Sequence, residues 1–192
     1  DFSLHPHWSL STLFKGIPEP KNFRYGSENR FDRNASRAGA NWEFLDALRE
    51  KWKGNLIVKG IMDTDDASRV QNAGVDAIWV SNHGGRQLDS SPPALSALPK
   101  IRNTVGPNMP IIFDSGARNG EDVVKALALG ANFVMLGRPI MMALAASRKK
   151  GLNDYLSLLK DEIGVVMAQL GINDLEKISG DVLYDGISKN IR

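Results

Sequence analysis

The chain has 192 residues, 42% hydrophobic and 24% charged, with a formal net charge of +2 and no cysteine. That balance supports one buried core, argues against disorder and, without a lysine or arginine block, argues against nucleic-acid binding. Disulfide and thiol chemistry are excluded, and no apolar run approaches the roughly 18 residues that a membrane-spanning helix needs.

The first forty residues mix Trp8, Leu10, Leu13, Phe14, Ile17 and Phe23 with prolines and basic side chains. They read as a loop with a short helix packed on the main body, or as an amphipathic segment that touches a membrane or a partner. The opening "DFSLHPHWSL" reads as mid-protein sequence, so a fragment or a processed product is expected.

Next, "NWEFLDALREKW" places Trp42, Leu45, Leu48 and Trp52 near one helical face. Four short apolar runs follow: "NLIVKG" at 55–60, "AIWVSN" at 77–82, "PIIFDSG" at 110–116 and "FVMLGR" at 133–138. Short runs rich in Ile and Val and bounded by turn residues predict strands buried on both faces of a parallel sheet. Between them, "TDDASRVQNAG" opens with capping and acidic residues and stops at Gly74, while "NGEDVVKALALG" runs from Asn119 to Gly130. "PIMMALAA" and "NDYLSLLKDEIGVVMAQLG" predict two closing helices. The resulting order, α-βα-βα-βα-βα, implies parallel strands with right-handed crossovers. It fits an open doubly wound sheet or part of an eightfold βα barrel. A full barrel takes about 250 residues, so four units are half of one, with two open edges and an uncovered inner face that need a partner.

Each predicted strand ends in polar chemistry. Lys59 closes the first; Ser81, Asn82 and His83, with Arg86 behind them, close the second; Asp114 and Ser115, with Arg118 in the loop, close the third; Gly137 and Arg138 close the fourth. The carboxyl ends of parallel strands share one face, and that face holds the site in βα folds. Packing explains a single such lysine, but four consecutive strand ends of this kind indicate a site. Gly84 and Gly85 permit a sharp turn that aims imidazole and guanidinium into one cavity. There Arg86 can hold a carboxylate through paired hydrogen bonds, and His83 can take a proton near neutral pH. Gly116 and Gly120 let the third loop wrap closely. Gly137 and Arg138 precede a helix expected to begin at Pro139, a terminus suited to phosphate. A Walker-type glycine loop is absent, and three histidines without cysteine make a zinc site an unattractive reading. Together these residues point to a phosphorylated cofactor, a carboxylate-bearing substrate and a histidine base. A phosphate-sugar isomerase on the same fold is the weaker alternative, because Arg86 beside His83 favours a carboxylate.

"SNHGGRQLD", with "VKG" upstream and "DSGARNGEDVVKALALGA" and "LGR" downstream, resembles the FMN-dependent α-hydroxy acid dehydrogenase and oxidase family over residues 41–170. The resemblance implies an α/β fold, the C-terminal half (strands five to eight) of a TIM (βα)8 barrel. Residues 1–40 would be the insertion in loop four, a membrane or partner contact, and residues 41–192 the half barrel. By motif, Lys59 resembles the lysine beside flavin N1 and O2, and Ser81 a further flavin contact. His83 resembles the base, touching both substrate and flavin, and Arg86 the substrate-carboxylate anchor. Asp114, Ser115, Gly116, Ala117 and Arg118, with Gly137 and Arg138, match the segments that hold the ribityl phosphate. Many relatives have two glycines after the aspartate, where this chain has Ser115 and Gly116; relatives that reduce membrane quinones often carry the same DSG.

The front segment resembles bacterial membrane-associated L-lactate and (S)-mandelate dehydrogenases. The implied reaction is FMN-dependent oxidation of an L-2-hydroxy acid to the 2-oxo acid. The implied partners are the N-terminal half of the barrel, a quinone acceptor, a peripheral membrane contact on the cytoplasmic face of the inner membrane, and further copies in a homo-oligomer. No metal is expected. The alternatives are a glycolate-type oxidase that uses oxygen and a non-catalytic half-barrel assembly unit.

Overall fold

The computed structural model describes residues 4–16 and 40–184. The chain divides into two compact units, Asp1–Asn41 and Trp42–Arg192. The described part of the first holds helix α1 (Pro6–Lys15), opened by a first-turn proline and closed at Gly16. Its side chains are unburied, and Leu10, Leu13 and Phe14, spaced to share a face, are 54%, 78% and 83% exposed. The rest of the predicted 1–40 insertion, including Ile17 and Phe23, lies outside the described residues.

The second unit begins with α2 (Trp42–Lys51) and continues β1 (Ile57–Ile61), α3 (Thr64–Asn72), β2 (Ala77–Val80), α4 (Ala94–Val105), β3 (Ile111–Phe113), α5 (Gly120–Ala128), β4 (Phe133–Val134) and α6 (Arg138–Gln169). All three strand pairings are parallel, in the spatial order β1-β2-β3-β4. A doubly wound sheet reverses its order at a switch point; this one advances without reversal, as a barrel wall does. Asn119 opens α5 where the sequence places it and accepts from the Asp122 N–H, while α3 is capped by Asp63, one residue ahead of the predicted stretch, which accepts from the N–H groups of Asp65 and Asp66. Within α6 the backbone leaves the helical region at Ser147 (φ −153°) and Arg148 (φ 50°), which divides it into two helical segments, as the two predicted closing helices require. The helix between β2 and β3 was implied by the alternation but not located; Pro92, Pro93 and Pro99 obscure it, although its buried Ala94, Leu98, Ile101 and Val105 keep helical spacing.

Register separates the two faces of the sheet. Val58, Ile78 and Ile111 align, as do Val80, Phe113 and Val134, and this face packs on Val70, Leu98, Ile101 and Val105 of the helices. The opposite face aligns Lys59, Trp79, Ile112 and Phe133. There Phe133 is 59% and Ile57 46% exposed.

The amino ends of the strands are held by Arg102. Its guanidinium donates to the carbonyls of Gly130 (2.9 Å), Gly106 (2.7 Å) and Met109 (2.8 Å) and to Asn132 Oδ1 (2.6 Å), which also accepts the Ile111 N–H. Burial lowers the guanidinium pKa, yet it keeps its charge because arginine starts so high. Gly130, at φ 104°, has no room for a side chain: an added Cβ would lie 2.7 Å from Arg102 Cγ. Replacing Arg102 with Met keeps the stem and strips these acceptors of their donor, so urea unfolding should show a loss of about 2 kcal/mol. A loss under about 0.5 kcal/mol would mean that water replaces the guanidinium freely.

Candidate active site

The opposite ends of the strands carry the chemistry. After β2 comes Ser81, 2% exposed, and then a tight 3-10 turn, His83–Gly85. His83, Gly84 and Gly85 are all left-handed, with φ of 57°, 65° and 75°. Side chains disfavour that region, so two glycines leave His83 as the one strained residue of the turn. The N–H groups are captured in succession: His83 N–H by Ser81 Oγ (3.1 Å), Gly84 N–H by Ser115 Oγ (3.1 Å) and Gly85 N–H by Asn82 Oδ1 (3.3 Å). Arg138 donates to the Gly84 carbonyl. A Cβ at Gly84 would fall 2.7 Å from Arg138 Nη2, the mobile tip of a long side chain, so it is φ that requires the glycine, and a side chain there would displace the guanidinium.

Lys59 was expected at the end of its strand. Instead β1 runs on to Ile61 through a bulge at Gly60, φ 100°, which leaves Lys59 at mid-strand opposite Trp79. Its ammonium donates to Ser81 Oγ (2.6 Å), pairs with Asp114 Oδ2 (3.0 Å) and lies 4.7 Å from the centre of the Trp79 ring. Desolvation alone would raise the Asp114 carboxyl; hydrogen bonds from Ser115, Ser81 and Lys59, with the Lys59 charge, outweigh it and hold the pKa below the ordinary value. The Lys59 charge is thereby largely compensated within the protein.

Beyond Asp114, the loop into α5 and the start of α6 form the other end of the site. Gly116, at φ 129°, and Gly137 both face open space, where an added Cβ would meet nothing within 4 Å. Helix α6 begins at Arg138, with Pro139 in its first turn, and its first-turn N–H groups have no intrahelical acceptor. The loop is braced from α6: the Tyr155 hydroxyl donates to the Arg118 carbonyl (2.9 Å), and Glu162 accepts the Gly120 N–H (2.8 Å). Desolvation, then the charges of Glu162 and Asp122, raise the Tyr155 pKa, so it remains a donor at neutral pH.

One cleft of about 260 Å³ is lined by Lys59, His83, Arg86, Asp114, Ser115, Gly116, Ala117, Arg118, Gly137 and Arg138. Of the strand-end residues singled out from sequence, Ser81 and Asn82 do not line it; Ser81 is buried beneath Lys59 and the turn. His83, Arg86, Arg118 and Arg138 are exposed at the cleft. Three guanidinium groups with a neutralised Lys59–Asp114 pair leave the cleft cationic, suited to an anionic ligand. Sequence reading missed Trp79, Tyr155 and the lining residues Met135 and Met141. Strand alternation could have found Trp79, since pairing sets it across from Lys59; Tyr155 lies too far along the chain for any local signal.

The sequence profile of the FMN-dependent dehydrogenase family matches residues 1–185. The chain belongs to the FMN-dependent dehydrogenase family. It is 40% identical over 192 residues to an (S)-mandelate dehydrogenase of Pseudomonas putida, a match that covers 96% of this chain and 48% of that protein. It is 38% identical over 197 residues to an L-lactate dehydrogenase of Acinetobacter baumannii, covering 98% and 51%. Among solved structures, a monotopic membrane protein, (S)-mandelate dehydrogenase, superposes with a TM-score of 0.85 at 38% identity, over 95% of this chain and 50% of that one. The chain thus spans about half the length of the relatives it matches. The family's cofactor fits this cleft: a cationic end with open glycine backbone suits a phosphate, and Lys59, seated by Ser81 and Asp114, supplies a fixed N–H donor.

Because the folded Asp114 carboxyl titrates below its ordinary value of 3.8, its pairing stabilises the fold fully above that pH and is lost as pH falls through the lower folded value. Asp114→Asn should therefore cost about 1–2 kcal/mol at pH 7 and nothing once both proteins are below that range. Thermal unfolding of the pair across pH would contradict this if the gap failed to close in acid.

Proposed function

We propose that this chain carries the cofactor- and substrate-binding ends of an enzyme that oxidises an L-2-hydroxy acid, lactate or mandelate in type, to the 2-oxo acid. The observation that carries this reading is the convergence of Lys59, His83, Arg86, Arg118 and Arg138 on one cleft from four consecutive βα units. FMN, when bound, supplies a two-electron acceptor beside the substrate carbon. Arg118, Arg138, Gly137 and the backbone from Asp114 to Ala117 would hold its phosphate and ribityl chain, and Lys59, seated by Ser81 and Asp114, its pyrimidine edge. Arg86 would bind the substrate carboxylate as a planar fork. Oxidation removes two electrons and two hydrogens from the hydroxyl-bearing carbon and its oxygen; His83 would accept the hydroxyl proton at its imidazole.

The site is complete, in this reading, only with the N-terminal half of the barrel. Strands β1 and β4 are sheet edges, and the face bearing Ile57, Trp79 and Phe133 is part-exposed and apolar. A second polypeptide or a preceding segment that adds four strands would cover both. A quinone is the favoured acceptor over oxygen, because the match to the monotopic (S)-mandelate dehydrogenase covers 95% of this chain while that to a lactate oxidase of Pediococcus acidilactici covers 72%, with TM-scores of 0.85 and 0.69. The homo-oligomer expected from the family belongs to the assembled enzyme.

Native mass spectrometry of the chain mixed with an N-terminal-half polypeptide should show one copy of each with one FMN, whereas the chain alone should bind FMN poorly. In that assembly His83→Gln should keep FMN and lose its bleaching by substrate by about a thousandfold. Tight FMN binding by the chain alone would refute the split-site reading, and normal bleaching would remove His83 as base; a flavin-free multimer would favour the non-catalytic alternative.

Helix α1, with Leu10, Leu13 and Phe14 on one exposed face, is proposed to lie in the interface of a membrane. The chain should float with liposomes containing anionic lipid, and Leu13→Asp with Phe14→Asp should leave it in the aqueous fraction. Flotation unaffected by the double change would sink the idea.

A further inference from the structure

Ser115 occupies a backbone position better suited to glycine. Its φ of 81° lies in the left-handed region that side chains rarely adopt. Glycine would take this conformation without strain, so the serine is informative about what its side chain does. A hydroxyl has one proton to donate and two lone pairs, and here the proton and one lone pair are used. Ser115 Oγ donates to Asp114 Oδ1 (2.6 Å) and accepts the Gly84 N–H (3.1 Å). The Ser81 hydroxyl lies at 3.4 Å. The Ser115 proton is thus committed to the carboxylate that pairs with Lys59, and the oxygen to the turn.

We propose that Ser115 is a positioning residue for His83: it ties the loop after β3, which ends the Lys59–Asp114 pair, to the peptide immediately following His83 in the turn after β2. The inference rests on the flavoenzyme reading above for its consequence in turnover. Its physical basis is independent of that reading. Gly84 and Gly85 give the turn no side-chain packing of its own, so the captured N–H groups and the Gly84 carbonyl are its restraints. Releasing one of them frees the backbone that aims the imidazole, and proton transfer is sensitive to displacements on the order of 1 Å. Ser115 therefore acts on the base through the backbone, not on the cofactor through its hydroxyl.

Two variants separate strain from bonding. Ser115→Ala keeps a side chain in the left-handed position and loses the bonds, whereas Ser115→Gly loses the bonds and relieves the strain, so it folds at least as well. In the 192-residue chain, amide hydrogen exchange should be about tenfold faster at Gly84 in both variants. The amides of Ile78 and Ile111, bonded to the Pro110 carbonyl and to Asn132, should keep their native rates. In the assembly with the N-terminal half and FMN in saturating excess, substrate should bleach the flavin about tenfold more slowly in both variants. Unchanged exchange at Gly84 in both variants would overturn the proposal. So would a native bleaching rate in both variants at saturating FMN. If the native assembly neither binds FMN nor bleaches, the flavoenzyme reading fails, and the exchange result alone decides whether Ser115 anchors the turn.

Discussion

The site depends on a left-handed turn with few bonds of its own. His83, Gly84 and Gly85 are all at positive φ, and the backbone bonds within the turn are those from the Gly85 N–H to the Asn82 carbonyl and from the Arg86 N–H to the His83 carbonyl. What adds to them is that its N–H groups meet Ser81, Ser115 and Asn82, side chains contributed by two different loops. The same serines reach Lys59 and Asp114, so the orientation of the imidazole and the seating of the ammonium are set by one connected network. Such a network is exacting: satisfied, it gives one geometry, and each missing partner leaves a polar group unpaired in a part-buried place. Nearby, Arg138 touches the Gly84 carbonyl, which links the anion-binding end of the cleft to the turn as well.

The two ends of the sheet divide the work. At the amino ends Arg102 stitches neighbouring turns together with bonds to carbonyls and to Asn132, and nothing in that arrangement offers a vacancy to a ligand. At the carboxyl ends Arg86 and Arg118 are exposed at the cleft and Arg138 meets a single carbonyl, that of Gly84. The same residue type thus serves as structure at one end and as recognition at the other, and the difference lies in whether acceptors surround the guanidinium. Helix α6 joins the two tasks by starting in the cleft at Arg138 and returning to brace it through Tyr155 and Glu162.

Most of the fold was legible because its signals are local. Strand cores, the opening of α5 at Asn119 and the glycine stops follow from periodicity and turn chemistry, and the residues that converge on the cleft followed from the rule that strand carboxyl ends share a face. What was not legible depended on distance or on register. The bulge at Gly60 carries β1 past Lys59, and nothing in "VKG" announces it. The prolines around α4 hid a helix whose buried positions are regular. Ser115 was read as a phosphate-loop residue from its neighbours in sequence; its bond to Gly84 spans 31 positions and exists only once the strands are paired. The choice between a barrel wall and a doubly wound sheet needed strand order, which alternation alone does not carry.

Trp79 adds a consequence of a different kind. Its ring supports Lys59, but its indole N–H is buried without an acceptor, on the face of the sheet that the helices leave uncovered. Because that hydrogen is already shut off from water, its missing bond costs about 1–3 kcal/mol in the chain as it stands. A surface laid over the face adds nothing to that cost. Only a shift of the indole that carried its N–H to an oxygen would recover the sum, so the ring that supports Lys59 is held at a position from which it gains by moving.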